Sequence, residues 1–259
     1  MGIETIVNTG FYPLQDKDFQ ASCHATLNST GVIVMPGFLN PETIELVRRE
    51  GEKSKHRAYF SVNKHNVYLT APDENFAPDH TRNRTVISSK GCITDDVIAA
   101  DSPLRTLYDS DVFRNFLCSV LDEKSLHEYA DAMSSINLHY ASDGQELGWH
   151  FDNSSFAVTL MIQAPDKGGT FEYVGGMRDA DKGEMNFDDV KKVLDGDIQP
   201  EKLNVDAGSL VLFRGRNAIH RVAPVEGDKT RMMVVLAYNS EPGISLSESA
   251  MKTFYGRVA

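Results

Sequence analysis

In the segment Trp149-His150-Phe151-Asp152 an imidazole and a carboxylate stand two positions apart. Alternate residues of a strand share a face, so His150 and Asp152 can reach a single metal ion. The chain has eight histidines and many acids, so the pair alone reads equally as a strand-end histidine beside a capping aspartate. His220 adds weight. It lies seventy residues further on, after the run Gly208-Ser209-Leu210-Val211-Leu212-Phe213 and a short loop. Two histidines and one carboxylate form the facial donor set of non-haem iron(II) sites, which leaves positions open for a chelating 2-oxoacid and for O2. Zinc would call for a third histidine or cysteines, and the sequence offers none close by.

Arg231 follows His220 by eleven residues and opens the apolar run Met232-Met233-Val234-Val235-Leu236. A guanidinium buried against a β-core requires an anion. Its planar fork suits the far carboxylate of 2-oxoglutarate, whereas an arginine reaching from a strand end into water is the plainer alternative. Arg221 competes for this task, but as the neighbour of His220 in a strand it points to the opposite face. Tyr140, ten residues before His150, offers its hydroxyl to the same carboxylate or else packs as core. Gly168-Gly169 reads as a tight turn into the strand Thr170-Phe171-Glu172-Tyr173, beside the metal.

The elements that must position these residues divide the chain by texture. The first third is mainly helical. Residues 16–27 allow one helix, a second runs from Pro41, capped by Asn40, to about Lys55, and a third from Ser102-Pro103 to about Leu121. A short apolar strand, residues 31–35, precedes Pro36-Gly37. Residues 61–92 are mixed and receive no assignment. From residue 135 short β-rich runs follow one another: 136–140, 156–163, 170–174, 209–213, 220–225 and 231–238, with one helical insertion at 186–194. This pattern predicts an α+β, mainly β chain, a sandwich or barrel with N-terminal helices packed outside. It is expected to be one domain over 1–259, with a helical support and lid (1–134), a β core (135–240) and a C-terminal tail (241–259).

Composition removes several classes of function. No apolar run is long enough for a bilayer, and the N-terminus lacks the pattern of a signal peptide. A net charge of −11, from 26 basic and 37 acidic residues, disfavours nucleic acid as a partner. Cys23, Cys92 and Cys118 are scattered and form no CxxC pair, as expected of reduced thiols in a cytoplasmic protein.

The order Tyr140, His150-Phe151-Asp152, Gly168-Gly169, Gly208 to Phe213, His220-Arg221-Val222, Gly227 and Arg231 resembles the core of the iron(II)- and 2-oxoglutarate-dependent oxygenases, over roughly residues 134–240. The resemblance implies a double-stranded β-helix, a jelly-roll barrel like that of the cupins. His150, Asp152 and His220 would be its metal ligands, and Arg231 the anchor of the co-substrate. Phe171 to Arg178 and the helix that follows look most like a group acting on free amino acids, which includes radical halogenases. Halogenases of that type carry Gly or Ala in place of the ligand carboxylate. Asp152 fills the position here, which implies a hydroxylase.

The expected reaction is hydroxylation of an unactivated C–H bond of a small, amino-acid-like substrate, using Fe(II), 2-oxoglutarate and O2 and releasing succinate and CO2. Alternatives are a desaturase or cyclase of the same superfamily, or a cupin-like metalloenzyme that does not use 2-oxoglutarate. Strand periodicity sets Met233, Val235, Ala237 and Asn239 on the face of Arg231. Arg82 and Arg84 precede the barrel, where either would hold a substrate carboxylate or lie in an exposed loop. Trp149 and Asn153 flank the ligand pair and are candidate substrate contacts or packing residues.

Overall fold

The computed structural model describes residues 2–258. Two helices bracket the first strand: α1 (Lys17–Thr30), β1 (Val32–Met35) and α2 (Pro41–Ser54). Next come β2 (Tyr59–Asn66), β3 (Thr85–Ile93), α3 (Pro103–Tyr108) and α4 (Asp111–Leu121). The β-rich part holds β4 (Ile136–Ala141), β5 (Leu147–His150), β6 (Ala157–Gln163), β7 (Lys167–Gly168) and β8 (Phe171–Val174). It continues with α5 (Phe187–Asp195), β9 (Glu201–Leu203), β10 (Leu210–Phe213), β11 (Ile219–Val222), β12 (Val225–Glu226) and β13 (Arg231–Leu236), and α6 (Glu248–Tyr255) follows.

The N-terminal helices form for local reasons. Asp16 caps α1 by accepting from the Phe19 amide at 2.8 Å, and Gly31 closes it in the left-handed conformation. Pro41 starts α2, although Asn40 makes no side-chain cap and instead donates to the Glu4 carbonyl at 3.1 Å. The single helix expected over 102–121 is two. Ser110 takes an extended conformation and caps a fresh turn by accepting from the Phe113 amide, which breaks the axis between α3 and α4.

The main sheet runs β1-β10-β6-β13-β4-β3-β5-β11-β8-β9, with β2 added to β3, and its pairings are antiparallel. A single pairing, Ser88 with Leu147, joins β3 to β5 and marks the seam between a larger and a smaller half. The sheet curls so that the two halves face one another. This is the double-stranded β-helix, mainly β with helices packed outside.

Period-two alternation decides which side chains meet the helices. Ile136, Leu138 and Tyr140 of β4, Leu210 and Leu212 of β10, and Met232, Val234 and Leu236 of β13 join α1 to α4 in the largest buried cluster. Each aliphatic side chain fully buried there contributes roughly 1.5–3 kcal/mol. Gly51 lets α2 lie close to the sheet, because a β-carbon there would come within 2.7 Å of Leu138 Cδ2. The alternate residues, among them His139, Val211, Phe213, Arg231, Met233 and Val235, face the opposite way and line a cavity of about 790 Å³ between the halves. No described helix is long and apolar enough to cross a membrane.

Candidate metal centre and co-substrate pocket

His150 ends β5 and is paired directly with His220 of β11, so the two imidazoles stand side by side on one face, ring centroids 4.1 Å apart. Each ring is held by a carbonyl two residues earlier in the chain: His150 Nδ1 is 2.8 Å from the Gly148 oxygen, and His220 Nδ1 is 2.9 Å from that of Ala218. A carbonyl only accepts, so Nδ1 carries the proton in both rings and Nε2 is left with its lone pair toward the cavity.

Asp152 lies beyond the end of β5, not within the strand as its spacing from His150 suggested. Its amide donates to the Gly215 carbonyl at 3.1 Å, and its own carbonyl accepts from Arg178 Nη2 at 3.1 Å. That turn still delivers the carboxylate: Oδ1 lies 3.6 Å from His150 Nε2 and 3.4 Å from His220 Nε2. One donor atom from each of the three residues falls within 4.8 Å of the others, a set that can hold one ion.

The electrostatics agree with a ligand set. Burial opposes ionisation of Asp152, but the His220 and His150 rings more than reverse this and hold its carboxyl well below the usual carboxylate range. Burial, helped by His220, lowers the pKa of His150, against the opposing pull of Asp152. A metal needs these forms, an ionised carboxylate and a neutral imidazole.

Arg231 supplies the second half of the pocket. It is 6% exposed, and burial pushes its guanidinium down to about 10. Among the described residues no carboxylate lies in ion-pairing range of it. Its Nε has no partner, and its Nη2 reaches only the Met233 sulfur at 3.3 Å. A buried cation without an anion is costly, and a carboxylate supplied from outside the chain would satisfy it. The donor set of His150, Asp152 and His220 and the unpaired fork of Arg231 line the same cavity and thus fit iron(II) and the far carboxylate of 2-oxoglutarate. Gly169, at φ +61°, makes room for the arginine, since a β-carbon there would lie 3.2 Å from Arg231 Cδ.

The family description Halogenase D matches residues 15–255. The chain belongs to the Halogenase D family. Among curated proteins no relative matches. Several solved structures are similar to this Halogenase D member in fold. A carbocyclase of nogalamycin biosynthesis, SnoK, shares 13% identity over 92% of each chain, with a TM-score of 0.60. A 2OG-Fe(II) oxygenase family oxidoreductase from Burkholderia pseudomallei gives 0.55 at 14% identity, over 89% of this chain and 95% of its own. A Trichoplax adhaerens prolyl hydroxylase, in complex with a hypoxia inducible factor peptide, gives 0.52 at 14% identity, over 88% and 95%.

Other expected site residues are placed differently. Tyr140 faces the helices, fully buried, and its hydroxyl donates to the Gly51 carbonyl at 2.7 Å, so it does not reach the co-substrate pocket. His139, its neighbour on the strand, lines the cavity instead. Trp149 packs outside the cavity under the Arg221 guanidinium, 4.8 Å from the ring centroid, and Arg221 pairs with Glu172 at 2.7 Å. Arg84 is committed to α5, paired with Asp195 and donating to the Leu194 carbonyl at 3.1 Å. Arg82 and Asn239 also lie outside the cavity wall, Asn239 in an isolated backbone pairing with His127. Asn153 does line the cavity. Sequence reasoning missed Lys90, His139 and His65, which line it too, and Gly215, which adjoins the metal ligands.

Proposed function

We propose that this chain is an iron(II)- and 2-oxoglutarate-dependent oxygenase that hydroxylates an unactivated C–H bond of a small, amino-acid-like substrate. His150, Asp152 and His220 hold the iron, and Arg231 holds the far carboxylate of 2-oxoglutarate. When bound, these groups and O2 supply the oxidising power, with succinate and CO2 released. The chain's own part is positional. The Nδ1 bonds to Gly148 and Ala218 aim the two imidazoles, and Arg231 sets the direction of the co-substrate. Apolar side chains such as Phe171, Phe213, Val211 and Val235 keep the interior dry.

The single observation carrying this reading is the filled triad, with Asp152 3.4 Å from His220 and 3.6 Å from His150. It also favours hydroxylation over halogenation within the family, because halogenases of the type that the sequence resembles leave this position to Gly or Ala. The test is anaerobic addition of iron(II) and 2-oxoglutarate to the purified protein. A visible charge-transfer band requiring both components, and lost in His220→Ala, supports the reading. Iron binding without the band points to a cupin-like enzyme that does not use 2-oxoglutarate.

A further inference from the structure

We infer that Lys90, oriented by His139, is a specificity-determining residue that binds a carboxylate of the substrate. This rests on the oxygenase reading above. Lys90 projects from β3 into the same cavity as the triad, and its ammonium donates to His139 Nδ1 at 3.3 Å. A neutral imidazole that accepts at Nδ1 fixes the direction of Nζ without neutralising its charge. Among the described residues no carboxylate lies in ion-pairing range of Lys90, and Asp152 is the one carboxylate in the cavity wall. Burial accordingly lowers the pKa of Lys90, although Cys92 and Asp152 work against that shift, and burial with the nearby Lys90 and Arg231 lowers His139 well below its ordinary value.

Charge balance then assigns the partner. Bound iron(II) would be balanced by Asp152 and by one carboxylate of 2-oxoglutarate, and Arg231 by the other. The charge on Lys90 is left over. Arg231 and Lys90 stand on different strands. Arg231 and Met233 pair with Ala141 and His139 of β4, while Cys92 of β3 meets His139 from the other side. Lys90 and Arg231 therefore belong to strands separated by β4, about 10 Å apart at ordinary strand spacing. Lys90 stands on the wall shared with Ser88 and with Ser61, Asn63 and His65 of β2, a polar surface that contains none of the triad residues and not Arg231. A monoanionic group on the substrate completes it.

The test uses the anaerobic iron(II)/2-oxoglutarate band in the wild type, Lys90→Met, Lys90→Arg and Arg231→Met. Arg231→Met is expected to weaken 2-oxoglutarate by about 30-fold or more, and Lys90→Met by less than about threefold. The wild-type complex is then titrated with L-amino acids and their primary amides, and with acetate and acetamide, read as a perturbation of the band. At least one acid is expected to bind about tenfold or more tightly than its amide. Lys90→Met should lose that preference and Lys90→Arg retain part of it. The inference is overturned if Lys90→Met loses 2-oxoglutarate as Arg231→Met does. It also falls if no acid of the panel is preferred over its amide by the wild type. A wild type with no band at all fails earlier, and overturns the oxygenase reading itself.

Discussion

Gly215 stands against Asp152 so closely that a β-carbon on it would lie 1.9 Å from the Oδ2 atom and 3.0 Å from His220 Cε1. Its amide plane also contributes, because its carbonyl accepts from the Asp152 amide. Gly215 therefore backs the candidate metal centre. Gly215→Ala is expected to weaken iron(II) binding by about 10- to 100-fold, the range seen when groups supporting metal ligands are removed. Metal titration checks this, with thermal unfolding of the metal-free protein as the control.

Replacing Asp152 by Ala should abolish the proposed hydroxylation. Its carboxylate is the one acidic donor of the triad, and the two histidines remain aimed by Gly148 and Ala218. Retention of full product formation by Asp152→Ala would refute the ligand assignment.

Tyr140→Phe tests the packing role that the structure gives that residue. It removes a buried hydroxyl that donates to the Gly51 carbonyl, so stability should fall by about 1 kcal/mol. The affinity for 2-oxoglutarate should not change. Urea unfolding and the anaerobic band measure the two separately.

The metal-free protein should lose stability as pH falls below about neutrality. Burial lowers the pKa of both His139 and His150 from an ordinary 6.5. Below that value the unfolded chain takes up protons that the folded chain refuses, so stability is present above 6.5 and declines as pH drops toward the lowered values. The slope approaches about 1.4 kcal/mol per pH unit for each histidine. Urea midpoints at successive pH values test this, and His139→Gln should make the slope shallower.

The barrel was legible in the sequence because each of its late strands is a short apolar run closed by a turn, and the observed strands 136–141, 157–163, 171–174, 210–213, 219–222 and 231–236 follow those runs closely. The strands β2 and β3 were not. Their faces toward the cavity carry Ser61, Asn63, His65, Ser88 and Lys90, so the apolar alternation that marks a strand is missing on the side that faces the cavity. The same weakness explains Tyr140. The phenol could equally donate to the co-substrate or pack as core, and alternation alone does not say which face of β4 turns inward; the large ring lies with the helices and His139 faces the cavity. Arg82 and Arg84 looked free because the sequence cannot show that Arg84 meets Asp195 of α5, more than a hundred residues away.

The bonds from His150 and His220 to carbonyls two residues behind them have a consequence for how the protein can change. Each imidazole takes its aim from its own strand, and the ladder between β5 and β11 sets the distance between them. Phe171 and Phe213 pack against His220, but the hydrogen bond that turns each ring comes from the backbone. Lining residues away from the triad and its packing can be exchanged, admitting new molecules, while the two imidazoles keep the aim that the backbone gives them.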